Sequence, residues 1–246
     1  MFIAAGRGMR LGARGRLLPK GLLRVGETTL MERAITLLRS AGIADITIVT
    51  GHLHEQYDAL ASRLGVGVRT VFNPDFESHG TGRSLAVGLE RAEGPLLLLE
   101  SDILWQEKGL DTLLRHSSDS SLLTSGPTGA GDEVWVWAKD ASAPALLAGM
   151  SKNRSERRDA PFGELVGLVR IGEALRTELL AEIRRTESAD AMVTYEACLS
   201  GAAATAPVEL LRIDGLLWGE VDDERMYDRV RDVVWPAIQA SSAFRG

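Results

Sequence analysis

The first 24 residues hold the densest set of candidate phosphate-binding groups in the chain. They contain five glycines, no acid and six basic residues, namely Arg7, Arg10, Arg14, Arg16, Lys20 and Arg24. Glycines let backbone N–H groups turn toward an anion, and uncompensated cations repel one another unless a polyanion binds. The segment therefore indicates a local site for a polyphosphate, with a plain basic surface loop as the alternative.

Two well-known phosphate-binding loops do not fit this segment. A Walker A loop ends in Gly-Lys-Ser/Thr, whereas here Lys20 precedes Gly21. The dinucleotide fingerprint requires glycine at its first, third and sixth positions, and Leu11 takes the sixth place after Gly6 and Gly8. The loop therefore belongs to a different phosphate-binding class.

Carboxylates at two places in the chain are candidate ligands for a metal ion. Asp102 follows the apolar stretch PLLLLES, where a strand would end at the crevice of an open α/β sheet. Glu220 and Asp222 alternate along WGEVDD, so a strand would place both on one face. Hard divalent cations prefer such oxygen ligands. The alternatives are that Asp102 caps a helix and that WGEVDD is a solvated turn.

The order of these segments resembles a known family. The blocks AAGRGMR and LPKG are followed by LMERAITLLRSAGI, ITIVTGH and, much later, WGEVDDERMYDRV. This order is similar to the signature of the sugar-phosphate nucleotidyltransferase-like superfamily, which joins a nucleoside triphosphate to a phosphorylated small molecule. The resemblance spans almost the whole chain and looks closest to the short cytidylyltransferases that act on phosphocholine, 2-aminoethylphosphonate and related phosphonates.

The resemblance implies roles for individual residues. The catalytic cations on the triphosphate would be Arg10 and Lys20. The nucleotide would be bound by Ala4, Ala5, Gly6, Arg7, Gly8 and Ser84. The cofactor would be Mg²⁺, held by Asp102, Glu220 and Asp222. The acceptor would be bound by Lys152, Arg83 and Trp218.

The reaction implied is transfer of CMP from CTP to a small phosphonate or phosphoalcohol, with release of pyrophosphate. Cations would neutralise the repulsion between the anions, and the acceptor oxygen is already ionised, so no general base is needed. The segment DFESHGTGR replaces the asparagine- and tyrosine-containing segment that the resemblance predicts for a phosphocholine enzyme. We therefore favour 2-aminoethyl- or 2-hydroxyethylphosphonate over phosphocholine.

The elements that must position these residues alternate between strand and helix. Strands are predicted at FIAA, ADITIVTG, VRTVF and PLLLLESD, and helices at TLMERAITLLRS, at about 54–64 and at GRSLAVGLERA. This alternation is typical of parallel sheets, whereas the short β-rich stretches beyond residue 119 favour antiparallel strands. We expect an α/β Rossmann-like fold with a mixed, mostly parallel sheet sandwiched by helices.

In the second half we expect a mobile loop at 151–161, helices at 173–185 and 188–199, and a strand running into a last helix from LLWGE onward. The pattern predicts one nucleotidyltransferase domain over residues 1–246. Residues 1–118 would bind the NTP, and residues 119–246 would bind the acceptor and complete the metal site.

Composition limits the partners. The formal net charge of -6 disfavours a broad nucleic-acid-binding face, and the single cysteine, Cys198, excludes an internal disulfide. No apolar run reaches the length of a membrane span. We expect a cytoplasmic protein that binds CTP and a small phosphonate or phosphomonoester, either as a homodimer or as one domain of a larger enzyme.

Two other functions stay open at this stage. The first is a uridylyl- or guanylyltransferase that acts on a sugar 1-phosphate. The second is a binding module that has kept the nucleotide site and lost catalysis.

Overall fold

A computed structural model describes residues 1–140 and 143–243. Its strands are β1 (Phe2–Ala4), β2 (Arg24–Val25), β3 (Thr28–Thr29), β4 (Ile46–Thr50), β5 (Val68–Phe72), β6 (Leu96–Glu100), β7 (Ile103–Trp105), β8 (Ser121–Ser125), β9 (Trp135–Ala138), β10 (Leu147–Ser151), β11 (Gly163–Ile171), β12 (Glu209–Ile213) and β13 (Trp218–Glu220).

Helices lie between these strands. They are α1 (Gly12–Leu17), α2 (Leu30–Ser40), α3 (His54–Leu64), α4 (Thr81–Leu89), α5 (Glu107–Arg115), α6 (Glu173–Glu187), α7 (Tyr195–Ala202), α8 (Glu224–Arg229) and α9 (Trp235–Ala243), with a π-helical segment at Val230–Val234 that joins the last two. Short 3₁₀ turns occur at Met9–Leu11, Lys20–Leu22 and Arg154–Glu156.

A nine-stranded sheet forms the centre of the fold. Strands β5, β4, β1 and β6 are parallel neighbours, and β11 joins them to β8, β12 and β9. Strands β10 and β11 run opposite to the other strands of this sheet. The expectation of a mixed, mostly parallel sheet is therefore confirmed, and residues from both halves of the chain share one sheet.

Helices cover both faces of the sheet. Along β1, Phe2 and Ala4 pack into the core with α2, α3 and α5, whereas Ile3 packs with α4, α6 and α7 on the opposite face. This alternation follows from the two-residue period of a strand. It explains why apolar strands such as LLLLE need no polar face.

Local signals account for several boundaries. Helix α2 begins at a capping box, in which Thr29 and Glu32 satisfy each other's backbone N–H groups. The predicted helix at 54–64 and the predicted strand VRTVF agree with α3 and β5. The predicted helix at 188–199 is wrong in its first half, because α7 starts at Tyr195, where Thr194 caps it.

A third core cluster connects the start and the end of the chain. Leu11 and Leu23, from the glycine-rich segment, pack against Val221, Tyr227 and Val230 near the C-terminal helices. Burying large apolar side chains of this kind stabilises a fold by about 1.5–3 kcal/mol each. The packing holds the glycine-rich segment beside WGEVDD, although the two are far apart in sequence.

Candidate active site

A cleft of about 400 Å³ opens at the carboxyl ends of β1 and β6. This volume falls in the range of ~300–1,000 Å³ that is usual for small-molecule sites. It lies where ligands bind in open α/β sheets. Most of the predicted site residues line it, namely Ala4, Ala5, Gly6, Arg7, Gly8, Arg10, Lys20, Ser84, Asp102, Lys152, Glu220 and Asp222.

The glycine-rich loop begins directly at the end of β1. Gly8 adopts a left-handed conformation (φ 59°), which glycine tolerates without strain. Gly15, on α1, packs so closely that a Cβ there would lie 2.1 Å from the carbonyl oxygen of Gly8. The two glycines therefore let the loop fold back on α1 and keep its backbone along the cleft.

Lys20 is the central cation of the cleft. Its Nζ donates to Asp102 Oδ2 at 2.8 Å and also to Asp222 Oδ1. Burial alone would lower the pKa of Lys20, but the charges of Asp102 and Asp222 outweigh burial and raise this pKa above its ordinary value. Lys20 is therefore a permanent positive charge at the base of the site.

Three carboxylates converge beside Lys20. One oxygen from each of Glu100, Asp102 and Glu220 lies within 4.8 Å of the others. Burial, followed by the charges of Asp102 and Glu196, raises the pKa of Glu100 to about 8. Burial and the charges of Glu100 and Asp102 also raise the pKa of Glu220. This convergence of like charges is the arrangement expected of a divalent cation site.

A two-stranded ribbon assembles this carboxylate cluster. Strand β13 pairs antiparallel with β7, so that Glu220 is the register partner of Ile103. One residue beyond the ribbon, the Val221 N–H donates to the carbonyl oxygen of Asp102 at 2.9 Å. The ribbon thereby brings Glu220 and Asp222 to Asp102.

Asp222 has a different set of partners from the one its spacing predicts. It accepts from Lys20, and its Oδ2 lies 2.6 Å from Arg10 Nη2. Burial opposes its ionisation, yet interactions with Asp132 and Lys20 lower the pKa of Asp222 to about 2. The close carboxylate cluster therefore contains Glu100 where the sequence pattern predicts Asp222. Asp222 remains adjacent to that cluster through their shared partner Lys20.

Asp132 is a component of the site that the sequence analysis missed. Its two oxygens contact Arg10 Nη1 at 2.8 Å and Lys152 Nζ at 2.9 Å. It therefore joins the glycine-rich loop to the segment at 151–161. No motif marks Asp132 in the sequence, and the signal that could have found it is the turn-rich run GPTGAGDE, typical of a loop beside a ligand.

Tyr195 and Glu196 form a second group that sequence reasoning left unassigned. Both lie in the first turn of α7 and line the cleft. The Tyr195 hydroxyl donates to Glu100 Oε1, and its backbone N–H donates to Thr81 Oγ1 at 2.9 Å. These bonds fix the start of α7 against the carboxylate cluster.

The remaining predicted residues occupy different places. Ser84 lines the cleft and accepts from Asn73 Nδ2 at 3.0 Å. Arg83 donates to Asp75 at 2.9 Å, and it is absent from the described residues that line the cleft. Trp218 is buried, donates from Nε1 to Ser125 Oγ at 2.8 Å and lines a small recess that adjoins the cleft. The structure therefore brings Ser84 and Trp218 to the site region but not Arg83.

Comparison with known protein families places this cleft in context. The model of the MobA-like NTP transferase domain matches residues 1–161. The chain belongs to the MobA-like NTP transferase domain family. The match includes the glycine-rich loop, Lys20, Asp102 and Lys152, and it confirms the resemblance to nucleotidyltransferases.

Curated relatives of this MobA-like domain include cytidylyltransferases. A choline-phosphate cytidylyltransferase of Streptococcus pneumoniae is 32% identical over 117 residues, which cover 48% of this chain and 50% of the relative. A CMP-5'-(3-aminopropyl)phosphonate synthase of Streptomyces rubellomurinus is 27% identical over 234 residues, which cover 91% of this chain and 36% of the relative. The chain thus spans half or less of the length of these relatives.

Solved structures of nucleotidyltransferases share the Rossmann-like fold of this chain. A CTP:phosphocholine cytidylyltransferase from Streptococcus pneumoniae superimposes with a TM-score of 0.73 at 20% identity, over 95% of this chain and 97% of the other. An inositol-1-phosphate CTP transferase from T. maritima gives a TM-score of 0.75 at 17% identity, over 97% and 94% of the two chains. Among the described helices of this chain, none is both long and apolar enough to cross a membrane.

Proposed function

We propose that the chain is a Mg²⁺-dependent cytidylyltransferase, which transfers CMP from CTP to a small phosphonate or phosphomonoester and releases pyrophosphate. The observation that carries the proposal is the meeting of two kinds of charge in one cleft. Lys20 and Arg10 stand beside the glycine-rich loop, and the cluster of Glu100, Asp102 and Glu220 lies next to Lys20. A nucleoside triphosphate that binds together with a divalent cation needs cationic side chains for its phosphates and carboxylates for the metal ion.

Lys20 and Arg10 would act on the charge of the triphosphate. Both cations are paired with acids in the structure, Lys20 with Asp102 and Asp222, and Arg10 with Asp222 and Asp132. CTP would therefore replace carboxylate partners with phosphate oxygens at cations that are already oriented. Such preorganised charges stabilise the negative charge that grows on the leaving pyrophosphate.

The acidic cluster fits the proposed metal ion. Mg²⁺ is usually held by one or two carboxylates together with substrate phosphates and water, and Asp102 and Glu220 would supply the carboxylates, with Glu100 and Asp222 beside them. When bound, Mg²⁺ supplies positive charge that neutralises the phosphates of CTP.

The acceptor would enter from the side of Lys152. A phosphonate oxygen of the acceptor would attack the α-phosphorus of CTP. The bond between the α-phosphorus and the oxygen that bridges it to the β-phosphorus would break, and pyrophosphate would leave with that bridging oxygen. The attacking oxygen is ionised at neutral pH, so no protein base has to remove a proton. Lys152, 2.9 Å from Asp132, is the cation on this side.

The direct test is release of pyrophosphate from each of CTP, UTP, GTP and ATP in the presence of phosphonates, phosphoalcohols and sugar 1-phosphates. The proposal predicts turnover with CTP and a small phosphonate or phosphoalcohol, and loss of turnover in Asp102→Ala while weak CTP binding persists. Turnover confined to UTP or GTP with a sugar 1-phosphate, or no turnover with CTP, would contradict it. Equal activity of Asp102→Ala would refute the metal assignment.

A further inference from the structure

A small recess adjoins the cleft on the acceptor side. It has a volume of about 30 Å³ and is lined by Glu100, Glu164, Glu196, Glu220, Asp132 and Lys152, together with the apolar face of Trp218 and its neighbours. A polar cavity needs at least ~10–15 Å³ of such volume to hold one water molecule. The recess therefore has room for a small polar group such as an ammonium group.

Most of the acids that line this recess already have another partner or a proposed role. Asp132 is paired with Arg10 and Lys152. Glu164 accepts from the backbone N–H and the hydroxyl of Thr128, at 2.6 Å and 2.9 Å. Glu100 and Glu220 belong to the carboxylate cluster that the proposed function assigns to the metal ion. The acid left over is Glu196.

Glu196 has an unmet hydrogen-bonding capacity. Its Oε2 is buried and has no hydrogen-bond partner among residues 1–140 and 143–243. A buried acceptor without a donor is costly, and more so when it is charged. Since Glu196 lines both the recess and the main cleft, a ligand in the cleft can reach this oxygen.

We propose that Glu196 binds the ammonium group of an acceptor that carries a primary amine beside its phosphonate or phosphate. The inference rests on the proposed function and narrows its acceptor class. Lys152 and Glu196 line the same cleft and recess, so they offer opposite charges to the two ends of a zwitterion. A hydroxyl at the distal end would leave the charge of Glu196 uncompensated, and a trimethylammonium group has no N–H to donate to the unpartnered oxygen of Glu196.

The experiment compares the pair 2-aminoethylphosphonate and 2-hydroxyethylphosphonate, with phosphocholine as a third acceptor. Wild type should prefer the amine over the alcohol by about 100-fold in kcat/KM, which is the scale of a buried charge-assisted hydrogen bond. Glu196→Gln, nearly identical in shape, should lose most of this preference while KM for CTP stays within twofold. Glu178→Gln, which changes an acid on α6 that accepts from Thr205, is the matched control and should keep the preference.

The result that would overturn the inference is an unchanged preference in Glu196→Gln, or equal use of the two phosphonates by wild type. A water molecule that satisfies Glu196 would give that outcome. Calorimetric titration of 2-aminoethylphosphonate into the Mg²⁺-loaded chain gives a readout that needs no turnover. If CTP is not a substrate, the proposed function fails, and weaker binding of the amine to Glu196→Gln than to wild type still supports the recess, whereas equal binding contradicts it.

Discussion

The two sides of the cleft that the proposed function assigns to the nucleotide and to the acceptor are built in different ways. The nucleotide side consists mainly of one short segment near the start of the chain, whose glycines shape a loop and whose cations lie beside it. The acceptor side gathers Asp132, Lys152 and Glu196 from three separate segments. A contiguous segment can carry a recognisable pattern, whereas a surface assembled from separate segments exists only after folding.

The sharpest test of the nucleotide side is Lys20→Met, which removes the charge and keeps the length of the side chain. We expect kcat with CTP to fall by about 10³-fold, since one preorganised charge on a developing anion has an effect of this size. Pyrophosphate release at saturating CTP measures the change, and a thermal melt shows whether the variant is folded. A kcat within tenfold of wild type would remove Lys20 from the centre of the mechanism.

On the acceptor side, we expect Asp132→Asn to strengthen the binding of CTP. Asp132 competes with the phosphates of CTP for Arg10, and an ion pair of this exposure contributes about 1 kcal/mol, or roughly fivefold. KM for CTP should therefore fall by about fivefold. The neighbouring variant Glu133→Gln is the control. A rise in KM would mean that Asp132 holds Arg10 in place for CTP instead of competing with it.

The carboxylate cluster, which lies between the two sides, predicts a dependence of stability on pH. The pKa of Glu100 rises from an ordinary value of 4.5 to about 8 in the folded chain. Between these values the unfolded state binds fewer protons, so metal-free stability falls as pH rises toward 8.

The variant Glu100→Gln has no carboxyl group to titrate at this position, so it should not show the loss of stability that Glu100 causes as pH rises. Between pH 5 and 8, the melting temperature of metal-free wild type should therefore fall relative to that of Glu100→Gln. We expect a fall of about 2–4 °C for each ~1 kcal/mol by which the free energy of unfolding decreases. Mg²⁺ should raise the wild-type melting temperature more at pH 8 than at pH 6. Parallel pH profiles for the two proteins in a chelating buffer would contradict the close approach of the three carboxylates.

The smallest effect is expected for Arg83→Ala. Arg83 is paired with Asp75 and, among the described residues, is not part of the cleft lining. The kcat/KM values for CTP and for every acceptor should stay within about twofold of wild type, as for most surface changes. A tenfold rise in the acceptor KM would restore the role that the sequence pattern implies for Arg83.

Much of the fold and of the nucleotide side could be predicted from the sequence. Buried strands such as β6 read as continuous apolar runs, and α3 shows a clear helical pattern. The helix α5 was missed, although Leu110 and Leu113 lie three residues apart on the face that it buries.

The acceptor side could not be predicted for a physical reason. Asp132 and Glu196 acquire their importance from neighbours that are distant in sequence, such as Arg10 and Glu100. For the same reason, the sequence did not predict that the carboxylate cluster contains Glu100 in place of Asp222. Alternation along WGEVDD predicts that Glu220 and Asp222 share a face, but it does not predict that Asp222 forms ion pairs with Lys20 and Arg10.

The ribbon of β7 and β13 also sets the order in which the site can arise during synthesis. Lys20 and Asp222 are 202 positions apart, and β13 follows every strand of the main sheet. A ribosome that has just made β12 presents a chain with the complete glycine-rich loop and Asp102 but without Glu220 and Asp222. The carboxylate cluster therefore closes only after β13 has been made, and the nascent chain has no complete cluster until then.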